Sequence, residues 1–265
     1  MNSSLDRVRS VLFLPASNAR AIGHARESAA DLVILDLEDA VKSEDKHGAR
    51  TAAVTAVADK WPMPVAIRVN GVGTEWHSLD IDSVARSEAD YAVLPRASSA
   101  HIVHEVAQAL GKPLLAMVET AAGVLAAAEI ASESAALIAG TNDLRAELRA
   151  PIGKDRNAIS ASLQMILLAA RSAAIPAFDG VFNDLEDAEG FAAECAEGRA
   201  LGFDGKSLIH PRQIDACNRA FSPSEEEISR ARRLVEAFGG GAERFEGQMI
   251  ERMHVESARR LLDRA

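Results

Sequence analysis

Two acidic residues follow neighbouring apolar segments of the chain. Glu119 comes directly after the run 114–118, and Asp143 follows the run 136–140. If these runs are adjacent strands, both carboxylates lie at one mouth. Mg²⁺ prefers hard oxygen ligands and needs only one or two protein carboxylates, because water and substrate supply the others. The spacing therefore predicts a magnesium site formed by Glu119 and Asp143.

A charged residue and an acidic cluster accompany two other apolar runs. Arg68 lies inside the run 65–69, where an unpaired guanidinium would be costly. Its partner is either a structural carboxylate or a substrate carboxylate or enolate oxygen, for which a planar guanidinium is a good clamp. We favour the substrate. Asp36 ends the run 32–35 and is followed by Glu38 and Asp39, so we expect at least one of these acids to face the site. The alternative is that Glu38 or Asp39 only stabilises the next helix.

Eight short apolar runs alternate with amphipathic helical stretches. The runs are nearly continuous in Val, Ile, Leu and Ala, as in strands that are buried on both faces of a parallel sheet. This α/β alternation favours a (β/α)8 TIM barrel over an open doubly wound sheet. The runs are 10–14, 32–35, 65–69, 91–94, 114–118, 136–139, 175–178 and 206–209, and the helical stretches include 18–29, 45–60, 100–110, 123–131, 157–173, 187–201 and 211–220.

Polar residues stand at the ends of most of these runs. In a barrel, the carboxyl ends of the strands share one face, where active sites lie. We therefore expect one rim to collect the candidates Asp36, Glu38, Arg68, Asn70, Arg96, Glu119, Asn142, Asp143, Asp179 and His210.

The last segment falls outside the barrel repeat. We predict a catalytic barrel domain over residues 1–221 and a helical C-terminal extension over 222–265. Ser222 and Pro223 are typical of a helix start, and this helix should run to about residue 238. A glycine triplet at 239–241, a loop to about 252 and a final helix over 254–262 follow. The extension is either a packing element or a mobile lid hinged at the glycines.

Composition excludes several partners. The 265 residues carry a formal net charge of −10, which argues against a broad surface for nucleic acid or an anionic membrane. The N-terminus has no signal-like apolar segment and no run approaches membrane-helix length, so we expect a cytoplasmic protein without membrane contact. Cys195 and Cys217, the only cysteines, are expected to be free and inert.

Taken together, the motifs resemble those of one family. The chain resembles the citrate lyase β-subunit-like (CitE-like) family of CoA-ester lyases, within the HpcH/HpaI aldolase superfamily, over roughly residues 7–221. The segments that carry the resemblance are 9–15, 34–41, 68–70, 73–77, 118–120, 140–144, 202–206 and 209–211.

The resemblance implies a Mg²⁺-dependent barrel enzyme that makes or breaks a carbon–carbon bond between an acyl-CoA enolate and a 2-oxo acid. Family members act on citryl-, malyl- or citramalyl-CoA, and a homo-oligomer, a trimer or hexamer, is implied. By motif, Glu119 and Asp143 match the metal ligands, with Glu119 also at the substrate, Arg68 matches the substrate-binding arginine, and Asp36 an acid near the metal. Basic residues that could hold the CoA phosphates are Arg9, Arg20 and Lys46.

The chain departs from the family pattern at several positions. Ala16, Ala122 and Arg96 stand where relatives typically carry Gly, Arg and Lys. Relatives supply a catalytic Asp from the C-terminal segment in a Met-Ile-Asp motif before proline, whereas this chain has Glu251 followed by Arg252. Glu251 is either the acid-base group, delivered from a neighbouring subunit, or a surface residue. Condensation, cleavage and thioester hydrolysis stay open, as do a metal aldolase for free 4-hydroxy-2-oxo acids and a non-catalytic CoA-ester-binding subunit.

Overall fold

Eight parallel strands close into a barrel in chain order. The computed structural model describes residues 5–151, 153 and 155–265. Strand β1 closes the barrel by pairing with β8, with Val11 opposite Ser207. The predicted (β/α)8 barrel is therefore confirmed. The strands are β1 Ser10–Pro15, β2 Leu32–Asp36, β3 Val65–Arg68, β4 Tyr91–Leu94, β5 Leu114–Val118, β6 Ala136–Ala139, β7 Ala177–Asp179 and β8 Gly205–Leu208.

Helices connect the strands. One of them, Ala100–Leu110, is capped at both ends: the Ser99 side chain accepts a hydrogen bond from Ile102 N, and Gly111 ends the helix with a left-handed φ of 61°. The helix predicted over 123–131 is two helices, because Ala126, with ψ 8°, interrupts it. The helices are α1 Ala19–Arg26, α2 Lys46–Ala58, α3 His77–Ala85, α4 Ala100–Leu110, α5 Ala121–Leu125, α6 Ala127–Ser132, α7 Thr141–Glu147, α8 Ser160–Ser172, α9 Ala188–Leu201 and α10 Ile214–Phe221. No helix within the described ranges is long and apolar enough to cross a bilayer.

Alternate residues of each strand fill the barrel interior. Successive side chains of a strand point to opposite faces, so every second residue faces inward. The resulting interior is apolar and buried, and burial of this kind is the main favourable contribution to folding. Its members include Val11, Phe13, Leu32, Ile34, Ala66, Val93, Leu115, Met117, Ala136, Ile138 and Phe178.

A buried ionic cluster involves Asp179. The Asp179 carboxylate accepts hydrogen bonds from both terminal nitrogens of Arg156, at 2.6 and 3.0 Å, and from Lys206 Nζ at 3.0 Å. Lys206 also donates to Glu194 of α9 at 2.7 Å. Asp179 thus follows Phe178 on the opposite face of β7 and does not take the rim position that we predicted, because the side-chain alternation turns it toward the helices.

The two cysteines lie close together, one on each of two helices. Cys195 of α9 and Cys217 of α10 are free and fully buried. A hydrogen bond with Cys195, followed by burial, raises the pKa of Cys217 well above its ordinary value. The Cys217 thiol also donates to the Arg9 carbonyl oxygen at 3.3 Å. The Cys217 thiol is therefore held protonated.

The residues after Ala220 form a second compact unit, Phe221–Ala265. It contains α11 Glu225–Ala237, a hairpin of β9 Glu243–Phe245 and β10 Gln248–Ile250, and α12 Arg252–Asp263. The predicted cap Ser222 is wrong: Ser224 caps α11, because Glu227 stands three residues further on and completes a capping box. The hairpin replaces the loop that we predicted between the helices. An apolar cluster centred on Leu234, Ile250 and Val255 holds this unit together.

Candidate functional site

Glu119 occupies the next inward position after Met117, at the carboxyl end of β5. Its side chain is buried, and its Oε1 accepts a hydrogen bond from the main-chain amide of Arg96 at 2.7 Å. On the other side, Gly140 leaves the room that the carboxylate needs. Burial raises the pKa of Glu119 to about 7, against the amide of Arg96, which lowers it, and Asp143 raises it further. A cation bound here would relieve both causes of the increase.

Asp143 lies in the first turn of α7, just after β6. Its side chain is about 42% exposed, and its Oδ1 is 3.5 Å from Arg96 Nη1. Asp143 lines the same cavity as Glu119 and also a separate groove of about 700 Å³ that Arg96 borders. It therefore borders both spaces.

Arg68 is held by acids from the end of β2. Its Nε and Nη2 donate to the two carboxylate oxygens of Asp36 at 2.7 and 2.6 Å, and its Nη1 is 2.7 Å from Glu38 Oε2. The structural partner that the sequence left open is thus Asp36. Burial alone would lower the pKa of Arg68, but Asp36 raises it above the ordinary value. The Phe13 ring lies over the guanidinium, with the ring centroid 5.3 Å from Arg68 Cζ.

Glu38 is the second acid of this cluster. Burial raises its pKa to about 8, although Arg68 opposes the increase, and Asp39, Glu119 and Asp36 add to it. Glu38 therefore contacts Arg68, so a role limited to stabilising the next helix does not describe it. Asp36 itself accepts hydrogen bonds from the amides of Glu38 and Ala40, which fixes the loop after β2.

One cavity of about 340 Å³ brings these side chains together. Asp36, Arg68, Glu119 and Asp143 line it. Within the described part of the chain, no group of three or more His, Cys, Asp or Glu side chains is arranged to hold a metal ion. Two carboxylates nevertheless fit Mg²⁺, which keeps water and substrate oxygens as its remaining ligands. The other lining residues include Phe13, Met117, Thr141, Asn142, Asn183, Ser207 and Ile209.

The candidate phosphate-binding residues do not gather at the cavity. Arg9 precedes β1, at the opposite end of the barrel, and its guanidinium pairs with Asp31 at 2.8 and 3.0 Å. Lys46 Nζ donates at 2.7 Å to three acceptors: Leu37 O, Glu38 O and Asn70 Oδ1. An ammonium has only three protons, and these three acceptors use all of them. Phosphate binding by Arg9 and by Lys46 stays a prediction. Arg20 is exposed in the first turn of α1.

Glu251 belongs to the second unit. Its main-chain amide donates to His254 Nδ1 at 2.9 Å at the start of α12, and its side chain is exposed. Its catalytic role therefore stays a prediction. His210 acts locally as well, since its Nδ1 accepts a hydrogen bond from Arg212 N at 3.1 Å.

Some features of this site were not predicted from the sequence. Asn183, which follows β7, exchanges hydrogen bonds with Asn142 at 2.7 and 3.2 Å across the cavity rim. Arg96, whose amide donates to Glu119, adopts a left-handed φ of 51°. Pro95 and Arg96 form a turn after β4, and the presence of an arginine does not indicate a positive φ in the sequence.

Comparisons with known proteins identify the family of this chain. The HpcH/HpaI aldolase/citrate lyase family matches residues 9–211. A (3S)-malyl-CoA thioesterase of Cereibacter sphaeroides is 43% identical over 97% of this chain and 94% of its own. The citrate lyase subunit beta of Escherichia coli K12 is 35% identical over 97% and 93%.

A solved structure covers both units. The crystal structure of protein CitE from Mycobacterium tuberculosis, in complex with magnesium, acetoacetate and coenzyme A, is similar with a TM-score of 0.86. The identity is 34%, over 98% of this chain and 99% of the other. The family match, the identity with these relatives and the shared fold lead to one conclusion. This chain belongs to the HpcH/HpaI aldolase/citrate lyase family.

Proposed function

We propose that the protein is a Mg²⁺-dependent carbon–carbon lyase that cleaves or forms a 3-hydroxy-dicarboxylyl-CoA of the malyl, citramalyl or citryl type. The observation that carries this proposal is the shared cavity, in which Glu119 and Asp143 accompany the Arg68 guanidinium. The relatives named for malyl-CoA and citrate support the substrate class. We further propose a cytoplasmic homo-oligomer, a trimer or hexamer, as the family resemblance implies.

The chemistry follows from the charges that cleavage moves. The bond between C2 and C3 of the substrate breaks, the 3-hydroxyl loses its proton as the oxo acid forms, and the electron pair passes to an enolate that C2 protonation converts to acyl-CoA. Glu119 and Asp143 would hold a magnesium ion, which would supply Lewis acidity to the oxygens of the substrate. Negative charge on the thioester oxygen then needs a fixed cation nearby.

Arg68 is the residue that we assign to this oxygen. Asp36 fixes the guanidinium through two hydrogen bonds, and Nη1, which is 2.7 Å from Glu38 Oε2 and donates to Met117 Sδ at 3.7 Å, is the nitrogen that we assign to a substrate oxygen. A preoriented cation in a half-enclosed cavity stabilises developing charge without reorganising during the reaction. Asp36 is then a positioning residue for Arg68, and Glu251 is the proposed acid-base group, supplied by the C-terminal unit of a neighbouring subunit.

Thioester hydrolysis is the second candidate. The relative with 43% identity is named (3S)-malyl-CoA thioesterase, which favours this reaction. Water would attack the thioester carbonyl, the C–S bond would break, and CoA thiol would leave with a proton. The same cavity can serve both reactions, because each develops negative charge on the thioester oxygen.

A product assay separates these reactions. Purified protein is incubated with malyl-, citramalyl- and citryl-CoA, and with a free 4-hydroxy-2-oxo acid, each with Mg²⁺ or with EDTA. Cleavage releases a 2-oxo acid and acyl-CoA but no free thiol, whereas hydrolysis releases one thiol per turnover and no oxo acid. We expect Mg²⁺-dependent release of oxo acid from at least one thioester.

Variants then test the metal carboxylates. Glu119→Gln and Asp143→Asn should each lower kcat/KM by about 100-fold or more, because each removes a charged oxygen ligand. Glu133→Gln is the matched control, since Glu133 is an acid that pairs with His104 on the protein surface. Full activity in EDTA, or in either ligand variant, would refute the proposal.

A further inference from the structure

Arg96 contacts both proposed metal carboxylates through different atoms. Its main-chain amide donates to Glu119 Oε1 at 2.7 Å, and its Nη1 is 3.5 Å from Asp143 Oδ1. The left-handed φ of 51° turns the amide into the site while the side chain leaves toward Asp143. Such a conformation is costly for a residue with a Cβ and persists only where surrounding contacts hold it.

These two contacts differ in charge. The amide offers Glu119 a partial positive charge, which is compatible with a cation on the same carboxylate. The guanidinium carries a full positive charge beside Asp143, and it would repel a divalent ion bound there. The two cations therefore compete for one carboxylate.

The guanidinium has space to leave. Its side chain is 54% exposed, and it borders the groove of about 700 Å³ on the far side of Asp143. Thr120, Ser98 and Glu147 line the same groove, so a displaced guanidinium meets polar groups there. Movement into the groove would uncover Asp143 without disturbing the amide of Arg96.

We propose that Arg96 is a built-in counter-ion: its guanidinium neutralises Asp143 in the metal-free protein and competes with the divalent cation for that carboxylate. This inference rests on the proposed function, since it takes Asp143 as a magnesium ligand. It assigns Arg96 a positioning role that lowers the affinity for Mg²⁺ and keeps the metal exchangeable.

Calorimetric titration of the full chain with Mg²⁺ tests the proposal. Arg96→Gln and Arg96→Met remove the charge and should bind Mg²⁺ about three- to tenfold more tightly than the wild type. The Mg²⁺ concentration for half-maximal activity should fall by the same factor. Arg96→Lys keeps a cation and should stay within about twofold of the wild type, which a purely structural role would not predict.

Arg149 provides the matched control. It is a second arginine with a left-handed φ, 55°, and it follows α7 at the end away from Asp143. Arg149→Gln should leave Mg²⁺ affinity within about twofold of the wild type. Melting curves without Mg²⁺ show which variants are folded, and two neutral replacements are available at Arg96. Unchanged or weaker Mg²⁺ binding in a folded neutral variant would overturn the inference, whereas absence of binding by the wild type would refute the proposed function itself.

Discussion

Gly140→Ala should damage the candidate metal site through one added methyl group. Gly140 connects β6 to α7 and has an ordinary φ of −88°, so the backbone accepts alanine. The space does not: a Cβ there would lie 2.2 Å from Glu119 Oε2 and 2.3 Å from Glu119 Cβ. The first distance is about 1.2 Å shorter than an ordinary contact of 3.4 Å. Glu119 must therefore move, although Oε1 is tied to the amide of Arg96.

The size of the effect follows from this clash. Overpacking of a buried site costs about 1–3 kcal/mol, so the free energy of unfolding should fall by that amount in Gly140→Ala. Displacement of a ligand from its supporting contacts typically lowers metal affinity by about 10- to 100-fold, and we expect the Mg²⁺ affinity to fall in this range. Urea denaturation measures the first quantity, and calorimetric titration measures the second.

Gly48→Ala is the matched control for this experiment. Gly48 lies inside α2, and a Cβ at that position meets no atom within 4 Å. Alanine should stabilise this helix by about 0.5–1 kcal/mol and leave Mg²⁺ binding unchanged. If Gly140→Ala kept both the stability and the Mg²⁺ affinity of the wild type, the steric reasoning and the position of Glu119 would be wrong.

Two further predictions concern pH and the buried ion pair. Because the pKa of Glu119 is raised to about 7, the carboxyl is mainly protonated below pH 7 and must lose its proton to bind a cation. Mg²⁺ affinity should therefore rise about tenfold between pH 6 and pH 8. Calorimetric titrations that gave the same affinity at both pH values would contradict this prediction. Asp36→Asn leaves Arg68 with Glu38 as its remaining close acid, so the free energy of unfolding should fall by about 3 kcal/mol. The more exposed pair of Arg9 with Asp31 gives the comparison: Asp31→Asn should cost about 1 kcal/mol or less in urea denaturation, and equal losses in both variants would refute the burial argument.

The barrel, and the rim at which most of the candidate residues lie, followed from the pattern of the sequence. The side chains of each buried strand point alternately into the barrel and toward the helices, and Asp36, Arg68 and Glu119 take inward positions at the strand ends. The same alternation places Phe178 in the barrel interior, so the next residue, Asp179, points toward the helices. The alternation depends on where each strand begins, and the apolar composition of β7 gives no sign of its register.

The partners of the basic residues were less predictable from the sequence than the fold. Lys46 and Arg9 are basic, but their donors serve main-chain carbonyls and Asp31, and such pairings depend on three-dimensional neighbours. The hairpin of β9 and β10 was missed because each strand has only three residues, too few for a periodic signal. The capping box at Ser224 and Glu227 was present in the sequence, and the preceding Ser222-Pro223 pair drew the boundary two residues too early.

The two buried cysteines can be used to measure how often the helices around them separate. Cys195 and Cys217 are shielded from solvent, and both are shut off from alkylating reagents while α9 and α10 stay packed. Labelling therefore requires a molecule in which those helices have separated, and its rate reports how often that happens. The rate of thiol alkylation in the wild-type protein therefore measures fluctuations of α9 and α10, both with and without ligands.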